Sequence, residues 1–317
     1  MLAINRLTML QKLACAAGAM AAALVLALSP LRAETARLQG VRSWAYQLQD
    51  IDPGKIKESS YDLVVIDYGF SRGSSIPREV IDLMRIKPDG SRRTILAYLS
   101  IGEAENFRYY WRPSWLRERP EWLEPENPSW PGNFLVQYWH PEWQSLMFGN
   151  PDAYLDRIVA SGFDGVYLDG IDKFEQWRKR RPSAASDMVD LVAAAAAYAR
   201  RQRPGFLVVP QNGDELLADA RLLPIIDGYA REDLLYSEDE EGVRNSRQSI
   251  ADSVARLTAV IRAGKPVLVV EYPATRELGA ALLREIAGFG FVGYVTDRAL
   301  KTLSPPLDGC GQPDCSR

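Results

Sequence analysis

Hydrophobic residues fall along this chain in short unbroken runs that end on polar side chains. SWAYQLQ (43–49), LVVIDYG (63–69), ILAYLSIGEAE (95–105), GVYLDGID (165–172), FLVVPQNG (206–213), IIDGYARED (225–233), VLVVEYP (267–273) and FVGYVTDR (291–298) are rich in β-branched and aromatic residues. That is the composition of buried strands. Between them lie stretches with apolar residues at helical spacing, over 77–87, 183–202, 247–264 and 274–288. Pro77 and Ser183 stand at helix starts, and Pro204-Gly205 and Gly264 at helix stops, as capping favours. Eight strands alternating with helices predict an α/β fold with a parallel sheet, and eight such units at this length predict a (β/α)8 TIM barrel. An open doubly wound sheet is the competing fold, but no strand leads through a glycine-rich turn into a helix. GFGFVG (288–293) follows a helix and leads into a strand, the reverse of the dinucleotide-binding order, and no cofactor is expected.

The rhythm breaks once, after the third strand, between Glu105 and Pro151. This insertion holds Trp111, Trp115, Trp122, Trp130, Trp139 and Trp143, six of the chain's eight tryptophans. FLVQYW (134–139) within it reads as a ninth strand, and EWQSLMF and PDAYLDRIVASG as the helical return to the sheet. Nothing marks a boundary for a second domain.

At the N-terminus, Arg6 and Lys12 precede an apolar stretch, Leu13 to Leu28, and a small-residue exit at Ala33. The pattern is that of a secretory signal over 1–33, too short for a membrane span, followed by one domain over 34–317. Secretion or a periplasmic location is expected, with membrane attachment only if the segment stays uncleaved. Its removal takes away three basic residues and no acid, so a net charge of −3 becomes more negative. There is no basic stripe interleaved with aromatics, which argues against nucleic acid. Cys310 and Cys315, in CGQPDC, suit a local disulfide in an exported protein. Two cysteines and one histidine, His140, give no metal-ligand set. A Ser-His-Asp triad would need His140, and no GxSxG elbow accompanies it. The chain is expected to act as a monomer.

In such a barrel the active site forms at the C-terminal ends of the strands. That gathers Asp67, Glu103, Glu105, Asp169, Asp172, Asn212, Glu232, Asp233, Glu271 and Asp297 around one opening. Hydrolysis of a glycosidic bond needs two carboxyl groups, one to protonate the leaving oxygen and one to attack carbon or activate water. The tryptophan-rich insertion adds flat aromatic faces that suit the C–H faces of sugars, although large residues also serve to give a long loop its own core.

YLSIGEAENFRYYW (98–111), GFDGVYLDGID (162–172), PQNGDEL (210–216), IDGYAREDLLY (226–236) and VLVVEYP (267–273) resemble glycoside hydrolase family 114, in order along nearly all of the mature chain. The resemblance implies a (β/α)8 barrel and an endo-α-1,4-polygalactosaminidase activity on an aminosugar polymer. It also implies that the paired acids are Asp169 and Glu232, at the fourth and sixth strand ends. Asp169 is expected to be the nucleophile and Glu232 the general acid/base of a retaining mechanism, with Asp172 and Asp233 as their rivals. Asp169 shares strand parity with Tyr167 and Gly165 and so is expected to face the lumen. Asp67, Tyr98, Glu103, Trp111, Asp172, Asn212, Glu271 and Tyr272 are expected to bind the polysaccharide. Relatives carry Asp more often where His140 stands in YWHPEW, a departure that bears on the loop and leaves the acid pair untouched. A silent polysaccharide-binding barrel and a hydrolase of a neutral α-galactoside are the competing functions.

Overall fold

The computed structural model describes residues 38–70, 74–238, 240 and 242–305. The expected secretory segment and the Cys310/Cys315 pair lie outside them. From Val41 onward the described residues form one compact unit.

Eight parallel strands carry that unit: β1 (Trp44–Gln47), β2 (Leu63–Ile66), β3 (Thr94–Ser100), β7 (Gly165–Asp169), β8 (Leu207–Pro210), β9 (Tyr229–Glu232), β10 (Val267–Glu271) and β11 (Val292–Val295). The runs LVVI and VLVVE are buried along their whole length, as strands with the lumen on one face and helices on the other must be. Hydrogen bonding divides them into a five-stranded sheet, β1-β2-β3-β7-β8, and a three-stranded sheet, β11-β10-β9. Two seams close the ring. At the first, a lone bridge pairs Gln211 with Ala230, and Asp227 N–H donates to Val208 O at 2.8 Å. At the second, Trp44 Nε1 donates to Val292 O at 2.9 Å. The expected (β/α)8 barrel is the fold.

Helices Pro53–Glu58, Arg78–Met84, Ala184–Gln202, Arg247–Arg262 and Arg276–Gly288 follow their strands. Ser246 and Thr275 cap two of them, accepting from Ser249 and Leu278 N–H. Ser183 departs from expectation. Its backbone is helical and its hydroxyl donates to Asp187 at 2.8 Å rather than capping. After β8 a short 3-10 turn, Asp214–Ala218, stands in place of a full helix.

The insertion folds as a unit of its own. β4 (Glu103–Glu105), β5 (Leu123–Glu126) and β6 (Asn133–Val136) make an antiparallel sheet in the order β4-β6-β5. Of FLVQYW, only Phe134–Val136 is strand, and it belongs to this side sheet rather than to the barrel. Helices Pro141–Met147 and Tyr154–Ser161 return the chain, and His140 caps the first through Nδ1, which accepts from Glu142 N–H at 3.2 Å. Trp115 meets Trp111 and Trp122 edge-on at 5.3 and 5.1 Å between centroids, and Trp122 meets Trp143 at 5.3 Å. Trp143 Nε1 donates to Ile101 O at 3.0 Å, which ties this aromatic core to the end of β3.

Candidate active site

Asp169 closes β7 at the barrel mouth. Two residues before it, the Tyr167 ring meets Trp44 and Tyr46 of β1 at 6.2 and 5.0 Å between centroids. β1 and β7 are not neighbours, so these rings meet inside the barrel. Strand alternation then sends Asp169 to the same side, as its parity predicts. Its Oδ2 accepts from the Tyr98 hydroxyl at 2.6 Å, and its Oδ1 from Gly170 N–H at 2.8 Å and Gln211 Nε2 at 3.0 Å.

Glu232 ends β9 on the other sheet. Its Oε2 accepts from the same Gln211 nitrogen at 3.0 Å, and its Oε1 from the Tyr272 hydroxyl. Asn212 Oδ1 accepts the Glu232 backbone N–H at 3.0 Å, which fixes the strand end. One amide thus joins the two carboxyl groups. Two bonds of 3.0 Å to one nitrogen keep their nearest oxygens no further apart than twice that length. Both acids keep part of their surface open to solvent.

Gln211 follows directly on β8 and is 2% exposed. Its Oε1 accepts from the Tyr167 hydroxyl, so the amide has one orientation and both N–H groups turn to the carboxylates. Sequence reasoning singled out its neighbour Asn212 instead. The signal was there in the register, which pairs Val209 with Tyr167 and so puts Gln211 on the lumen side with Asp169.

Burial pushes the Glu232 carboxyl up to about 8; the charges of Asp169, Asp233 and Glu238 add to the rise, and the Tyr272 hydrogen bond opposes it. Glu232 thus keeps its proton at neutral pH. Asp172 is also pushed up, to about 6, chiefly by burial and then by Asp169 and Glu103 against the pull of Lys173. A third of its side chain meets solvent, at 33%, but the rest is crowded within the mouth.

The rivals are engaged elsewhere. Asp233 is clamped by Arg298 through two 2.9 Å bonds, and Asp172 sits 3.7 Å from Lys173. Arg231 pairs with Asp214 at 3.6 Å and Lys173 with Glu103 at 3.8 Å, so these cations are turned to acids other than Asp169 and Glu232.

Of the expected sugar-binding residues, Tyr98, Tyr272 and Asn212 converge on the acid pair. Asp67 lies near them but is not free: Arg108 donates to it at 2.6 Å and to Glu105 at 2.6 Å. Three others need correction. Glu271 has no exposed surface, and its Oε1 accepts from Leu235 N–H at 2.7 Å, so it tethers the loop after β9. Glu103 is 4% exposed and bound by Asn127 at 2.7 Å, so it links the insertion to the barrel. Trp111 is 8% exposed and packed on Trp115 and Phe134, within the insertion's core. Asp297 caps a turn, accepting from Thr302 N–H at 2.9 Å. Among the described residues no cluster of three His, Cys, Asp or Glu is placed to hold a metal.

A cleft of about 620 Å³ opens beside Tyr98, lined by Asp67, Arg108, Phe70 and Phe107. A second, of about 500 Å³, opens beside Tyr272, lined by Tyr236, Leu278 and Arg298. Each cleft is lined by a tyrosine bonded to one of the acids, and two carboxyl groups held together at the mouth of a barrel are the equipment of a glycosidase. The chain matches glycoside hydrolase family GH114 over residues 27–313. It belongs to that family. It is a glycoside hydrolase.

An uncharacterized protein of Thermotoga maritima is 39% identical over 239 residues, covering 73% of this chain and 70% of the relative. One of Methanocaldococcus jannaschii is 36% identical over 277 residues, 82% of this chain and 78% of the relative. Among solved structures, the glycoside hydrolase domain of PelA from Pseudomonas aeruginosa superposes with a TM-score of 0.65 at 20% identity, over 83% of this chain and 98% of that one. Aspergillus fumigatus Ega3, in complex with galactosamine, gives 0.59 at 17% identity, over 83% and 94%. At these identities the two structures speak for the fold. No helix among the described residues is long and apolar enough to cross a membrane.

Proposed function

We propose that this glycoside hydrolase cuts an α-1,4-linked galactosamine-type exopolysaccharide within the chain, by a retaining mechanism, with Asp169 as nucleophile and Glu232 as general acid/base. The observation that carries this reading is the shared Gln211 nitrogen, 3.0 Å from an oxygen of each acid. Two such bonds keep the nearest carboxyl oxygens within about 6 Å of each other, which supports the closer spacing of retaining enzymes over the roughly 6.5–9.5 Å of inverting ones.

In the first step an Asp169 oxygen attacks the anomeric carbon while the glycosidic C–O bond breaks. Glu232, neutral at pH 7, gives its proton to the departing oxygen. In the second, the Glu232 carboxylate takes a proton from water as that water attacks the same carbon. The Asp169–sugar bond breaks and both acids return to their starting states. The acids at the mouth suit a cationic, partly deacetylated polymer, and Ega3's complex with galactosamine supports the same sugar class. The N-terminal segment suits export, which would bring the enzyme to such a polymer.

The test is incubation with de-N-acetylated and with acetylated galactosamine oligomers, products being read by mass. Fragments of mixed length from the deacetylated substrate are expected. Glu232→Gln and Asp169→Asn should each lose about 10²–10⁴-fold in turnover, and azide should partly restore Asp169→Asn by supplying a small nucleophile. Cleavage of neither oligomer, or full turnover in either variant, overturns the assignment.

A further inference from the structure

We propose that Gln211, oriented by Tyr167, is a positioning residue that sets the gap between the two acids and holds the negative charge as it passes from one to the other. The inference rests on the acid roles given above. Asp169 and Glu232 ride on different sheets, and Gln211 stands at the seam between them, opposite Ala230, where the next residue's N–H, on Asn212, donates to Ala230 O at 3.0 Å. The Gln211 side chain donates one N–H to each acid. Its place at the seam and its side chain therefore act on one distance.

The chemistry gives the amide a second use. Before the first step Asp169 is charged and Glu232 neutral; after it Asp169 is an ester and Glu232 a carboxylate. The charge moves by the width of one amide, and a donor already stands at each end of the move. Such donors need no reorganisation as charge develops. Orientation is what makes this work, because a flipped amide would turn its oxygen toward both acids. Tyr167, fully buried and with its hydroxyl held protonated by that burial and by the nearby acids, always has a hydrogen to give the amide oxygen, and a flip would exchange that bond and both N–H contacts to the acids for oxygen facing oxygen.

Two variants test this while leaving both acids in place. Other ionisable groups facing Glu232 are Asp169 and Tyr167 on β7, Tyr46 on β1, Tyr272 after β10, Arg298 after β11, and Asp233 and Glu238 on its own loop. All are unchanged in Gln211→Leu, and only Tyr167 is altered in Tyr167→Phe. An N–H donor favours the charged form of a carboxyl group, so its loss raises the Glu232 pKa further. The alkaline limb of the kcat/KM profile should move to higher pH, by about half a unit to one unit. Gln211→Leu should lose about 10²–10³-fold at the optimum and Tyr167→Phe about tenfold, with the double variant no worse than Gln211→Leu alone. Tyr167→Phe removes one oxygen only and carries the test should Gln211→Leu not fold. An unmoved alkaline limb, or additive losses, overturn the proposal. Loss of activity in Asp169→Asn and Glu232→Gln alongside an unmoved alkaline limb in these variants would sink this proposal alone and leave the acid pair standing. Full activity in the acid variants would sink both.

Discussion

Glu232 carries a proton that an exposed glutamate would have lost. In the unfolded chain it ionises near its ordinary 4.5, in the folded chain near about 8. Between those values the folded state holds one proton more than the unfolded, so stability falls as pH rises across that window. Two outcomes follow. As a general acid it must be protonated, so kcat/KM should decline as pH rises through about 8. Glu232→Gln, which cannot ionise, should melt higher than the parent at pH 8 and alike near pH 4, by calorimetry. Arg108 shows the opposite arrangement, a buried cation between Asp67 and Glu105. Arg108→Met leaves two carboxylates unpaired and should cost about 3–5 kcal/mol in urea unfolding. At this scale the sequence was legible where a side chain's direction followed from alternation, as for Asp169. It was not where a distant loop decides exposure. VLVVEYP says that Glu271 ends a strand, but not that the Leu235 backbone lies on top of it. Nor does ENFRYYW announce that its arginine will neutralise an acid forty residues earlier.

The elements were the most readable part, because eight β-branched runs with helical patterns between them admit few folds. What blurred them was local. IIDGYARED looks like nine residues of strand, yet only Tyr229–Glu232 pair, since Asp227 is drawn off to accept from Val208 N–H at 2.8 Å and from Arg200 at 2.7 Å. The side sheet of the insertion was hidden because two of its strands, EAE and LEPE, carry one apolar residue each, Ala104 and Leu123, too few to make a pattern. One contact between elements is expected to be unforgiving. A Cβ on Gly102, between β3 and β4, would lie 2.0 Å from Gly170 O, and Gly170 N–H holds Asp169. Gly102→Ala should therefore cost about 1–3 kcal/mol of stability. It should also lower kcat, measured well below the melting temperature, by displacing the residue after the acid.

Across the whole molecule, each cleft is lined by a tyrosine that donates to one acid, Tyr98 to Asp169 and Tyr272 to Glu232. Most of the insertion's tryptophans hold that insertion together. The exposed aromatic rings at the cleft beside Tyr98 are Phe70 and Phe107, 47% and 45% exposed. Phe107→Ala should raise KM about 2- to 10-fold with kcat held, as read from oligomer kinetics.

A barrel made of two sheets has a mechanical side as well. Each acid belongs to its own wall, and where the walls meet below them regular pairing gives way to the Gln211–Ala230 bridge and the bonds between Asp227 and Val208. An inhibitor that grips both acids would lash the walls together. Deuterium uptake at the Gln211 and Asn212 amides, whose acceptors are Leu168 O and Ala230 O, should then slow more than uptake within β2 or β10, where neighbouring strands already pin both edges.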